Sequence, residues 1–251
     1  MDKISIPKEY YDIALSLAKQ RQGRFRNQFT TGKLREELCG DDAELMIYIE
    51  GVIGYIGDMC AAQWLGLDPR EIMRNMILET DLLAHRDECD LVFMGNRIDV
   101  KTEFYGKDQA SHEMKLVKVL DRSIKPNETY GCRLINDNQF RENSGTIDYY
   151  LFATIDKMDP RKAKYWHPIG WLSTAKAKEI APTPMWWSPA GARLWTPAHC
   201  LPNSELDVPE KIFNITKGDH IYYTDFRKNP RYNVLDRTKF NSILELSNLN
   251  L

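Results

Sequence analysis

Asp90, Asp99 and Lys101 stand close together in the stretch Cys89-Asp90-Leu91-Val92-Phe93-Met94-Gly95-Asn96-Arg97-Ile98-Asp99-Val100-Lys101-Thr102-Glu103. Two carboxylates and an ammonium could hold a hard cation and assist water attack on a phosphorus centre. Whether they can meet depends on the backbone between them. Gly95-Asn96 is a two-residue turn signal between two apolar-rich runs, which predicts a β-hairpin. With that turn, Met94 faces Arg97, Val92 faces Asp99 and Asp90 faces Lys101. Side chains alternate faces along a strand, so Asp99 and Lys101 share one. Directly opposed residues also share a face, with Cβ atoms ~4.5–5.5 Å apart. The hairpin therefore gathers all three groups on one patch.

Two like charges about 5 Å apart repel by roughly 3 kcal/mol at an effective dielectric near 20. Lys101 offsets part of that repulsion. A hard dication such as Mg²⁺ offsets it better, because it takes oxygen ligands and keeps several waters. Such an ion acidifies water and stabilises developing oxyanions, and an adjacent lysine can orient the attacking water. The same spacing also fits a surface hairpin with an ordinary Asp90–Lys101 salt bridge.

These residues resemble the signature of the PD-(D/E)XK nuclease superfamily, an Asp opening one strand followed by Asp/Glu-x-Lys on the next. Asp90, Asp99 and Lys101 match it, with Val100 as spacer. Cys89 stands where the signature has Pro. The superfamily usually carries an acidic residue on a preceding helix, and Asp58 occupies that place, where Glu is more usual. The resemblance covers roughly residues 44 to 156. It implies a restriction-endonuclease-like core and a Mg²⁺ cofactor, with Mn²⁺ as a substitute. It further implies that Asp90, Asp99 and the Val100 carbonyl bind the metal, with Asp58 assisting the ion or its water shell. Lys101 would position water, and Gln139 would supply a polar group near the site. The implied substrate is DNA, with RNA and a homodimeric arrangement left open.

The elements that must position these groups can be read directly. Leu45, Ile49, Val52, Ile53, Ile56, Ala61, Trp64 and Leu65 recur at helical spacing over 42–67. Gly51, Gly54 and Gly57 recur every third residue there. Each costs about 1 kcal/mol inside a helix, so the stripe predicts close backbone approach to a sheet, with Asp58 beside it. Residues 7–20 read as an amphipathic helix ended by Gly23. Asp68-Pro69-Arg70-Glu71 is a helix start, with the helix running to about Leu83. Tyr105 to Asn127 reads as a polar excursion with one helical turn around 114–120. Strands are expected over 130–135, 148–155 and 165–172, and Ser173 should cap a helix over 174–181. This predicts an α/β fold with a mixed central sheet covered by helices on both faces. A single domain follows, divided into an N-terminal helix and basic segment (1–41), a catalytic core (42–181) and a Trp/Pro-rich extension (182–251).

The chain has 251 residues, 43% hydrophobic and 28% charged, the balance of an ordinary globular protein. No apolar run is long enough to span a bilayer, and the N-terminus lacks a signal peptide's apolar core. Five scattered cysteines without a Cys-x-x-Cys pair argue against a zinc knuckle or disulfide framework. An intracellular, cytoplasmic protein with reduced thiols and no membrane partner is expected. Net charge is −2, but its distribution is uneven. Lys19, Arg21, Arg24, Arg26, Lys33 and Arg35 fall in an interval without acidic residues, a composition suited to phosphate contacts and equally to a solvated linker. Arg227 to Lys239 is a second basic stretch. Trp186, Trp187 and Trp195 could stack on bases, pack on the core or form a subunit contact. The five histidines lack His-x-x-x-His spacing, and there is no nucleophile elbow, phosphate loop or dinucleotide fingerprint. The expected activity is a Mg²⁺-dependent DNA endonuclease. Its rivals are a non-catalytic nucleic-acid-binding or assembly protein on such a scaffold, and a structural subunit using its Trp-rich tail as an interface.

Overall fold

The computed structural model of the chain describes residues 3–25, 41–73, 89–106, 108–143 and 145–221. At its centre, strand β5 (Tyr149–Ile155) is buried continuously from Tyr150 onward, the pattern of a strand covered on both faces. It pairs in parallel with β3 (Asn96–Glu103) and antiparallel with β6 (Tyr165–Ser173). Strand β2 (Leu91–Phe93) flanks β3, and the short β1 (Ile4–Ser5) flanks β6, giving a five-stranded sheet of order β1-β6-β5-β3-β2. The expected α/β class and mixed central sheet are therefore present.

Helices α1 (Lys8–Phe25) and α2 (Asp41–Trp64) cover one face. Leu17, Ile53, Ile56 and Met59 pack there with Ile98, Val100, Leu151 and Trp166. Of the three glycines, only Gly57 meets the sheet, where a Cβ would overlap the Thr102 side chain. Gly51 instead faces Ala18 of α1, and Gly54 faces open space. Helix α1 passes through Gly23 and continues to Phe25, correcting the expected stop. One glycine lowers helix stability without ending the helix, because the residues on either side keep their hydrogen bonds.

The other face holds Tyr105, Leu116, Val119, Ile135, Phe140, Tyr150, Phe152 and Leu172. Part of this layer comes from the 105–127 segment, which forms a full helix, α3 (Gln109–Leu120), rather than a single turn. Its start is a reciprocal cap. The Asp108 carboxylate accepts the Ser111 N–H at 2.8 Å, and the Ser111 hydroxyl accepts the Asp108 N–H at 3.2 Å. A serine in place of the usual Glu or Gln hides this signal. His112, Leu116 and Val119 point inward from α3. The His112 ring accepts the Tyr105 N–H at 2.9 Å through Nδ1 and donates to the Ile155 carbonyl at 2.9 Å through Nε2.

A second sheet was not foreseen. Strand β4 (Cys132–Asn136), read from sequence as part of the central sheet, pairs instead with β8 (Arg193–Pro202), which pairs with β7 (Met185–Trp187). The prolines of 182–202 disguised β8. Pro197 falls just past the last β4 pair, Asn136↔Ala198, and within the irregular stretch of the β7 pairing, where a missing N–H is tolerated. Helix α4 (Asp137–Asn143) follows β4 directly.

Elsewhere the local signals hold. Ser173 caps α5 (Thr174–Ile180), accepting the Lys176 N–H at 3.1 Å. Asp68 accepts the Arg70 N–H at 3.0 Å, and helical backbone runs from Pro69 to Met73. The expected continuation to Leu83, Cys39, His85, the 227–239 basic stretch and the C-terminal segment all lie outside the described residues. Cys60, Cys89, Cys132 and Cys200 are buried and form no disulfide with one another. Among the described residues no helix is long and apolar enough to cross a membrane.

Candidate active site

The β2–β3 turn is displaced from its expected position. Met94 and Gly95, not Gly95 and Asn96, occupy its centre, with φ of 50° and 74°. Two positive φ values suit the right-handed twist of a two-residue hairpin. The pairs are Leu91↔Ile98, Val92↔Arg97 and Phe93↔Asn96. Met94 therefore does not face Arg97, Val92 does not face Asp99, and Asp90 does not face Lys101. A distant segment explains the choice. Gly218 N–H donates to the Met94 carbonyl at 2.9 Å and His220 N–H to the Gly95 carbonyl at 2.9 Å. Asn96 is buried and donates to the Thr216 carbonyl at 2.8 Å.

The slip is by two residues. A one-residue slip would turn every side chain to the other face, whereas two residues restore the original face. Asp99 and Lys101 keep their shared side, and the Lys101 ammonium contacts Asp99 Oδ1 directly. Asp90 sits where β2 begins. Its N–H donates to the Ile98 carbonyl at 3.1 Å, and its Oδ2 accepts the Val100 N–H at 2.6 Å. The N–H and C=O of one strand residue point the same way, so the Val100 carbonyl also faces the Asp90 edge.

Asp99 is only 4% exposed. Its second oxygen, Oδ2, lies 3.4 Å from Gln139 Nε2. Gln139 thus reaches the site from helix α4. Burial pulls the Lys101 ammonium toward giving up its proton. The Asp99 and Asp90 charges, the Asp99 hydrogen bond and the Asp58 charge outweigh that pull and raise its pKa above the ordinary lysine value. Asp58 exerts the smallest of these influences. It follows Gly57 on α2, which lies across the face bearing Val100 and Thr102, whereas Asp99 and Lys101 project from the other face.

Among the described residues no three His, Cys, Asp or Glu side chains form a group able to hold a metal. The donors on offer are two carboxylates and one backbone carbonyl. Mg²⁺ is commonly bound through one or two carboxylates while retaining water, so this donor set fits it.

Sequence reasoning missed Glu103 and Arg133. Glu103 is the next residue after Lys101 on the same strand face, an alternation visible in Asp99-Val100-Lys101-Thr102-Glu103. Its carboxylate contacts Arg133 Nη1, and Arg133, fully buried on β4, also donates to the Tyr105 hydroxyl at 2.7 Å. Burial raises the Glu103 pKa against the opposing effect of the Arg133 charge. Of the expected phosphate contacts, Lys19, Arg21 and Arg24 fall on α1, while Arg26, Lys33 and Arg35 lie outside the described residues. Trp186 and Trp187 are each 55% exposed, so neither is buried in the core. Compared with known proteins, the chain matches no family model, no curated protein and no solved structure.

Proposed function

We propose that the chain is a Mg²⁺-dependent nuclease acting on DNA, with Mn²⁺ able to substitute, built on a restriction-endonuclease-like core. One arrangement carries this reading: Lys101 in contact with Asp99 and within the influence of the Asp90 charge, with Gln139 on the far oxygen of Asp99. Asp90, Asp99 and the Val100 carbonyl would hold the cation, with Asp58 contributing its charge from the opposite face of the sheet. When bound there, the ion supplies Lewis-acid stabilisation of phosphoryl oxygens and acidifies water. The protein's own groups do the positioning. The Val100 N–H orients Asp90, and Gln139 restrains rotation of the Asp99 carboxylate. Lys101, kept protonated by its neighbours, donates to the attacking water or to a phosphate oxygen and offsets charge in the transition state.

Asp99→Asn and Lys101→Ala should each lower Mg²⁺-dependent cleavage of supercoiled plasmid by about a hundredfold or more. Folding, followed by circular dichroism, and DNA binding should be retained. Ca²⁺ in place of Mg²⁺ should preserve binding and suppress turnover. Wild-type cleavage rates in either variant would count against the assignment.

The direct Asp99–Lys101 contact favours a second reading, in which the pair is structural and the protein binds nucleic acid or assembles without turnover. Calorimetric titration with Mn²⁺ separates the two. Heat in the wild type that is absent in Asp90→Ala supports the enzyme, and no heat in either supports the scaffold.

A further inference from the structure

The β7–β8 hairpin presents an aromatic surface that the fold leaves uncovered. Strand β7 is the edge of its sheet, and Met185, Trp186 and Trp187 are all exposed. Pairing to β8 is irregular between Met185 and Trp187, a device that re-aims side chains at sheet edges. The hairpin is anchored to the candidate active site through a single helix. From α4, Gln139 reaches Asp99, while Asp137 meets His199 of β8 at 3.2 Å and Phe140 packs on the His199 ring at 4.0 Å between centroids. A helix with its side chains is ~10 Å across, so the base of the hairpin lies about that far from Asp99.

Two observations select the occupant. The first is charge: residues 182–204 contain no Asp or Glu, and the exposed Arg193 lies directly across from Trp187. The second is area. Two half-exposed tryptophans offer on the order of 100–150 Å² each. Alternation along β7 sets Trp186 on the face opposite Met185 and Trp187, so each face stays well below the roughly 800 Å² that each partner contributes to a standard protein interface. Each is adequate for one or two stacked bases, since every base has a π-face and an arginine can meet the phosphate or the ring.

We infer that Trp186 and Trp187 stack on unpaired bases of a nucleic-acid strand leading to the Asp90–Asp99–Lys101 site, so that the protein prefers single-stranded or frayed substrate over blunt duplex. This rests on the nuclease reading for its direction along the strand, although the stacking can be measured without turnover. The test is fluorescence anisotropy in EDTA, with a labelled oligo-dT and a blunt duplex of equal length. Trp186→Ala and Trp187→Ala should each weaken oligo-dT binding roughly five- to hundredfold and leave duplex binding within about twofold. Trp186→Phe and Trp187→Phe should restore most of the affinity, which separates stacking from a folding defect. Unchanged oligo-dT affinity in both alanine variants would overturn the inference, as would equal weakening on both substrates. Loss of self-association on gel filtration with unchanged oligo-dT affinity would assign the hairpin to a second copy of the chain and also overturn it. Tryptophan-dependent oligo-dT binding by a wild-type protein that does not cleave DNA would sustain the stacking and sink only the nuclease reading.

Discussion

Arg133 lies fully out of solvent, and Glu103, whose side chain is 34% exposed, meets its charge. The two partners are therefore not equivalent. Glu103→Gln strands a guanidinium in the core, a change that costs about 3–5 kcal/mol when a buried pair is broken. Arg133→Met leaves a carboxylate that water can reach or that can take up a proton, so the loss should be smaller. Urea midpoints should place Glu103→Gln below Arg133→Met, and the reverse order would mean that Arg133 acts mainly by filling space. At this scale the site was partly legible. Asp99, Lys101 and Glu103 share a face by alternation alone. That Arg133 meets Glu103 depends on β4 lying beside β3's far end, which no local pattern encodes.

The glycine stripe of α2 separates two effects within one helix. At Gly57 a Cβ would meet Thr102, whose hydroxyl also accepts the Trp166 indole N–H at 3.2 Å. Gly57→Ala must push α2 off β3 and should cost about 1–3 kcal/mol by overpacking. Gly54 faces open space, so Gly54→Ala should gain up to about 1 kcal/mol from helix propensity. Thermal unfolding of the two variants should move in opposite directions, and a loss at Gly54 would show a contact there. The helix over 42–67, the Ser173 cap and the strands over 148–155 and 165–172 were readable because their signals lie within a few residues of each other. The α3 cap used a serine where Glu or Gln is the usual sign, and β8 carried prolines, so local rules pointed away from both.

Across the whole fold, the buried His112 and the half-buried His167 sit in different surroundings on the α3-bearing side of the central sheet. Burial lowers the pKa of both below the ordinary 6.5, against the raising effect of the Ile155 and Tyr105 carbonyls beside the His112 ring and of Asp156 near His167. A folded pKa below the unfolded one means that the unfolded chain takes up protons first as the pH falls. The stability from each histidine is then complete above 6.5 and lost as the pH falls through the folded value. Denaturant midpoints should therefore drop between about pH 7.5 and about pH 5.5. His112→Gln should lower stability throughout and flatten that slope, leaving the His167 part. An unchanged slope would show that His112 is not held neutral.

From its own order the chain determined which residues share a strand face, where most helices begin, and that Asp90, Asp99 and Lys101 belong to one neighbourhood. Those properties follow from backbone periods of two and 3.6 residues, which repeat within a short window. Tertiary structure alone decided the turn centre at Met94-Gly95, the approach of Gln139, the Glu103–Arg133 pair and the exposure of Trp186 and Trp187. Each of these depends on segments far apart in sequence, such as Gly218 against Met94, whose meeting is set by the packing of the whole core and not by any neighbouring residue.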